Sequence, residues 1–233
     1  MSDTGEATVQ VPCSDASRAR DEPLTATASR VERWLLVEHR GAWGPQSVPS
    51  SRMSQNVARA LAQTAAGAQA RLVLVRRPHG APQAEGRDVF AVDSAPGAER
   101  IRTRHVDVDS DLARLAWDDE AWTPYDGPLY LVCTHGRHDR CCALRGRPVA
   151  KALSRVHPER TWESSHIGGD RFAPNLVVLP EGLYLGQVEA EDVARIVEDL
   201  RAGQLPARHV RGRSSLPLPV QAAQAFAREA LQR

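Results

Sequence analysis

Short, unbroken apolar runs set off by Gly and Pro dominate the hydrophobic pattern of this chain. Runs of this kind fit strands buried on both faces better than half-exposed strands, which alternate apolar and polar positions. Arg33-Trp-Leu-Leu-Val-Glu-His39 predicts the first such strand, and Gly41-Ala-Trp-Gly-Pro45 the turn after it. Ser54 to Ala66 is Ala-rich and predicts a helix, with Gly67 where a C-terminal cap is expected. Arg71 to Arg76 predicts a second buried strand that stops before Pro78-His-Gly80. Asp88 to Asp93 and Ile101 to Val108 predict two more, followed by a short acidic helix near Asp109 to Trp117.

The alternation then resumes. Leu129 to Val132 predicts a strand that delivers Cys133 at its end, and Pro148 to Val156 a helix with Pro in its first turn. Strands are expected at Trp162–Ser165, Asn175–Pro180 and Leu183–Gln187, the last two joined by a Pro-Glu-Gly turn. Ala190 to Arg201 is amphipathic, with Val193, Ile196, Val197 and Leu200 on one stripe, and Val220 to Gln232 predicts a final helix. Strand-helix-strand-strand-helix is the order of a small α/β domain of thioredoxin type. The expected fold is therefore α/β, a thioredoxin-like C-terminal domain packed with a smaller α/β N-terminal lobe. Thr123-Pro-Tyr-Asp-Gly-Pro128 is the best candidate boundary, giving a disordered tail over 1–12, a lobe over 13–122 and the second domain over 123–233. No internal repeat is strong enough to assert.

Composition narrows the function classes. The chain has 233 residues, 42% apolar and 25% charged, with a formal charge of +1, which gives no footprint for nucleic acid. No apolar run approaches the roughly 20 residues of a membrane helix, and the polar start MSDTGEATVQ lacks a signal-peptide core. The expected location is the cytoplasm, where thiols stay reduced and clustered cysteines point to metal binding or catalysis.

The chemistry is concentrated in one stretch. Three of the four cysteines and three of the eight histidines fall in Cys133-Thr-His-Gly-Arg-His-Asp-Arg-Cys141-Cys142 and in His166-Ile-Gly-Gly-Asp170. Thiolate and neutral imidazole are the best protein ligands for iron and zinc. Gly168-Gly169 argues for a tight loop able to aim His166 and Asp170 at one point. Read as an extended segment, Cys141 and Cys142 point to opposite faces and do not serve one centre together. Arg137, Arg140, Arg145, Arg147 and Arg171 crowd the region and favour thiolate over thiol. His135 and His138 read as hydrogen-bonding loop residues, Cys13 as a small hydrophobe remote from the site, and Asp170 equally as a loop cap or a partner of Arg171.

The run CTHGRHDRCCALRGRPVAKAL, then WESSHIGGDRFAPNLVVLPEGLYLGQV, resembles the sucrase/ferredoxin-like family. CSDASRARDEPLTATASRVERWLLVEHRGAWG and VRGRSSLPLPVQAA extend the resemblance over nearly the whole chain. It implies a thioredoxin-like [2Fe-2S] ferredoxin domain. In fungal members the ligands are two Cys, spaced like Cys133 and Cys142, and two His, spaced like His166 and position 170. Here position 170 is Asp. The implied ligand set is Cys133, Cys142, His166 and Asp170, with Cys141, His135 or His138 as alternative fourth ligands.

Three functions compete on these residues. The first is one-electron transfer through a [2Fe-2S] cluster, with the arginines docking an acidic redox partner. The second is a thiol-disulfide oxidoreductase using Cys133 with Cys141 or Cys142, although no Cys-x-x-Cys occurs. The third is a structural zinc site on the same ligands. Sucrase activity lacks support, because glycoside hydrolysis needs two carboxylates across a sugar site and no pair stands out.

Overall fold

The computed structural model describes residues 11–81 and 85–231; most of the tail expected over 1–12 lies outside them. The elements are helix α1 (Cys13–Ala19), strand β1 (Arg33–Glu38), helix α2 (Gln55–Gly67) and strands β2 (Ala70–Arg76), β3 (Arg87–Asp93), β4 (Arg100–Val106) and β5 (Thr123–Pro124). Strand β6 (Leu129–Cys133), helix α3 (Arg140–Val156) and strands β7 (Thr161–Ser164), β8 (Leu176–Leu179) and β9 (Leu183–Leu185) follow. Helix α4 (Val193–Arg201), strand β10 (Val210–Arg213) and helix α5 (Leu218–Leu231) complete the order. No helix among the described residues is long and apolar enough to cross a membrane.

Among the described residues the strands form one mixed sheet, ordered β10-β9-β8-β6-β7-β2-β1-β3-β4-β5. In its C-terminal half β6 runs parallel to β7, antiparallel to β8, and β8 antiparallel to β9, which is the thioredoxin-like arrangement. The N-terminal half repeats it: β1 is parallel to β2 and antiparallel to β3, and β3 is antiparallel to β4, with α2 as the crossover. The two halves thus share a strand order that their sequences do not display. A sheet specifies only buried or exposed at each position, so different apolar residues satisfy the same topology.

The halves join antiparallel and end to end. Strands β2 and β7 overlap at Val75↔Ser164 and Arg76↔Glu163. Ser164 is also the partner of Cys133, and Val75 of Glu38. The last residues of β6 and β1 therefore lie in one row across the sheet, reached from opposite directions. The open carboxyl ends of both half-sheets meet at the centre of the molecule, where reactive loops are best presented.

Side-chain alternation divides each strand between two cores. Trp34 and Leu36 of β1 face an inner core that also takes Leu129, Leu131 and Cys133 of β6, Cys142 and Tyr184. The ring centroids of Trp34 and Tyr184 are 6.2 Å apart although β1 and β9 are distant in strand order, so the sheet curls over this core. Leu35 and Val37 turn outward to Leu61 and Val57 of α2, while Tyr130 and Val132 turn to Val149 and Leu153 of α3 and Ile196 of α4.

Three local expectations need correction. Helix α3 begins at Arg140, not Pro148, because Asp139 caps it by accepting the Cys141 N–H at 2.6 Å. Pro148 sits inside the helix, and burial of Cys142, Gly146, Val149, Ala150 and Leu153 offsets the backbone bond it cannot make. Gly67 is the last helical residue of α2 rather than its cap; Gln69 takes the left-handed φ of 53° instead. The acidic helix expected to reach Trp117 is a 3-10 turn over Asp109–Arg114.

Candidate metal centre

Strand β6 ends on the inner face, so Cys133 emerges at the joint with only 1% of its surface exposed. The chain turns through His135–Asp139 and enters α3, whose first turn carries Cys141 and Cys142. These two cysteines are helical, which corrects the extended reading. They still diverge, because successive helical residues lie about 100° apart. The Cys142 thiol donates to Asp170 Oδ1 at 3.3 Å, whereas Cys141 Sγ lies 3.7 Å from Cys13 Sγ. Both sit where the N–H groups and positive end of the helix favour thiolate. Gly146 lets α3 approach this closely, since a Cβ there would collide with the Cys133 carbonyl.

The second loop follows β7. Gly168 and Gly169 adopt left-handed φ of 100° and 84°, and a Cβ on Gly169 would strike the Arg211 guanidinium. The loop's carbonyls are held from several sides. Arg71 donates to His166 O and Ile167 O, Tyr184 to Ile167 O, and Asn175 to Gly169 O. Arg211, 2% exposed, donates to Gly168 O at 3.1 Å and Asn175 Oδ1 at 2.8 Å. Arg211 was missed by reasoning on ligand types, although it sits in the VRGRSSLPLPVQAA segment that carries part of the family resemblance.

These supports bring the Cys133, Cys142 and His166 donor atoms within 4.8 Å of one another. His166, His138 and Asp170 form a second such group, sharing His166. Asp170 Oδ1 lies 2.9 Å from His166 Nδ1, and Asp170 Oδ2 lies 3.5 Å from His138 Nε2. His138 stacks on His166 with centroids 3.8 Å apart, so it joins the site. His135 is structural, as its sequence reading holds: Nε2 donates to Gly44 O at 2.8 Å and Nδ1 accepts the His166 N–H at 3.1 Å. Burial pushes its pKa down, consistent with a neutral ring. Arg171 pairs with Glu22 rather than Asp170, and Arg145 with Asp15.

The electrostatics are those of a site that holds anionic sulfur. The hydrogen bond with Cys142 drives the Cys133 thiol well below the usual range despite burial, and the same contact pushes Cys142 up. The pair keeps one proton between two sulfurs. Burial disfavours a charged His166, but Asp170 and Cys133 outweigh it and raise its pKa to about 9. His166 Nδ1 nevertheless lacks an aligned hydrogen-bond partner among the described residues. Two sulfurs, an imidazole and the carboxylate 2.9 Å from its Nδ1 make a donor set that, once the imidazole gives up its proton, fits an iron-sulfur centre or zinc.

Cys13, expected to be remote, is drawn against this region. Helix α1 packs over the 3-10 turn Asp170–Phe172 and places Cys13 beside Asp139 and Cys141. Only chain topology could reveal this, because 126 residues separate Cys13 from Asp139.

The sequence matches the sucrase/ferredoxin-like family over residues 24–212. No curated protein matches it. Among solved structures, the thioredoxin-like [2Fe-2S] ferredoxin from Aquifex aeolicus is similar in several forms. The wild-type protein is 27% identical, covers 37% of this chain and 97% of its own, and has a TM-score of 0.31. A second structure of that ferredoxin is 26% identical over 40% of this chain and 97% of its own, with a TM-score of 0.34. A cysteine-to-serine variant is 28% identical over 36% and 97%, with a TM-score of 0.32. With a family match that spans far more than half its length, the chain belongs to the sucrase/ferredoxin-like family.

Proposed function

We propose that the protein is a one-electron carrier in which Cys133, Cys142, His166 and Asp170 hold a [2Fe-2S] cluster. The observation that carries the reading is the convergence of the Cys133, Cys142 and His166 donor atoms within 4.8 Å from separate loops. Asp170 is the better fourth ligand than Cys141. It contacts both Cys142 and His166, whereas the Cys141 sulfur is turned to Cys13. When bound, the cluster supplies a site that accepts and returns one electron. The chain's own residues fix its charge: an aspartate at the position where the resemblance implies a histidine in fungal members adds one negative charge to the ligands, which opposes reduction. The buried Arg211 guanidinium beneath the loop partly offsets it.

The docking surface for an acidic redox partner is the exposed side of α3, where Arg140, Arg147 and Lys151 surround Leu144, and Arg137 precedes the helix. Leu144 is 63% exposed and supplies an apolar centre to that basic ring.

Anaerobic purification should give a brown protein with iron, acid-labile sulfide, visible absorption bands and a paramagnetic signal on reduction. A colourless protein without iron after reconstitution would exclude the reading. Loss of two thiols on oxidation would then favour disulfide chemistry, and bound zinc a structural site. Asp170→His should raise the potential on the order of 100 mV or more, given that centres with imidazole ligands lie at roughly −150 to +300 mV and all-cysteine ones near about −400 mV. Unchanged spectra and potential in both Asp170→His and Asp170→Ala would remove Asp170 from the ligand set.

A further inference from the structure

We propose that Cys13, Asp139 and Cys141 form a second, mononuclear metal site of zinc type, separate from the Cys133–Cys142–His166 centre. Their donor atoms all lie within 4.8 Å of one another. Cys13 Sγ is 3.7 Å from Cys141 Sγ and 3.4 Å from Asp139 Oδ2.

Those separations match the edges of a tetrahedron around one ion. With zinc–sulfur bonds of about 2.3 Å and zinc–oxygen bonds of about 2.1 Å, tetrahedral angles put two thiolates about 3.8 Å apart and thiolate and carboxylate about 3.6 Å apart. A disulfide would need the sulfurs at about 2.0 Å. The carboxylate is divided between two tasks. Asp139 Oδ1 accepts the Cys141 N–H at 2.6 Å as the helix cap, which orients Asp139 and leaves Oδ2 turned to Cys13.

The three groups are positioned without help from a metal. Asp15–Arg145, Arg18–Glu189 at 2.5 Å and Glu22–Arg171 tie α1 and the segment after it to the body of the protein. Cys13 is exposed, which leaves the fourth position open to a water. Two sulfurs, one carboxylate and one water suit a borderline-soft divalent cation and not calcium or magnesium, which take oxygen ligands. The bound ion fastens α1 to the first turn of α3, one residue from Cys142.

The test is elemental analysis of the full chain, purified with its iron centre and without chelator. One zinc per chain is expected, and Cys13→Ala should lose that zinc while keeping iron and the visible spectrum. Asp139→Asn, which retains the cap, should weaken zinc binding without unfolding. Cobalt added to zinc-free protein should give the intense visible bands of tetrahedral, sulfur-ligated cobalt, and Cys13→Ala should abolish them. The Cys142→Ala protein is assayed in parallel, so that zinc retained there separates this site from failure of the cluster reading. A chain that takes up neither zinc nor cobalt would overturn the proposal. So would zinc that survives Cys13→Ala, or a Cys13–Cys141 disulfide found by mass after thiol blocking.

Discussion

Cys142→Ala is expected to come out of anaerobic reconstitution colourless, with iron and sulfide cut by more than about tenfold. Partners that merely orient a metal ligand are already worth about 10–100-fold in affinity, and Cys142 is proposed as a direct ligand. Its sulfur meets both Cys133 and Asp170, so its loss takes away one sulfur ligand and the contact that lowers the Cys133 pKa. The fold should survive. Alanine fits the space that Cys142 fills in the inner core, and the cap at Asp139 is untouched. Cys141→Ala is the control, because its sulfur faces Cys13, and it should keep the colour. Equal loss of iron from both variants would mean that Cys141 completes the cluster. A wild-type spectrum from Cys142→Ala would end the assignment.

The second large effect is expected at Arg211, through stability. Its guanidinium is buried and donates to Gly168 O, Asn175 Oδ1, Thr27 O at 2.5 Å and Thr27 Oγ1 at 3.0 Å. Burial lowers its pKa to about 10, so it is charged at neutral pH. Arg211→Met keeps much of the volume and strands these acceptors. Each hydrogen bond to a charged group is worth about 1.5–3 kcal/mol, but relaxation and water entry recover part of the sum. A net loss of about 3–5 kcal/mol is reasonable by analogy with broken buried ion pairs. For a chain of this length that lowers Tm on the order of 10 °C. Arg211→Lys should not rescue it, since one ammonium cannot span acceptors on three loops. A Tm within a degree or two of wild type in Arg211→Met would refute this account of the loop.

The sequence was most legible where burial is two-sided. The apolar runs in β1, β2, β6 and β8 need no tertiary knowledge, because a run flanked by turn residues has few other ways to be buried. The convergence of Cys133, Cys142 and His166 was legible for a related reason: Cys133 ends a strand, and the glycines after His166 force the turn. Errors fell where a local rule was outweighed. Pro148 normally marks a helix start, yet the cap at Asp139 and six buried residues carry α3 through it. Asp139-Arg-Cys141 held that signal, since Asp is a preferred cap. Cys13 and Arg211 lay beyond local reading, because their roles depend on chain segments brought together only by the curled sheet.

The end-to-end joint also decides how charge could travel. On one side the proposed centre is walled off by the loop after β1, where Trp43 meets His135 edge-on with centroids 5.8 Å apart, and Cys133 and Cys142 are each 1% exposed. The insulation thins at the stacked imidazoles, with 38% of the His138 side chain and 21% of the His166 side chain reaching solvent. Tunnelling falls steeply with distance, so that imidazole window is the natural exit. The joint would thereby give the proposed centre a doorway on its imidazole side.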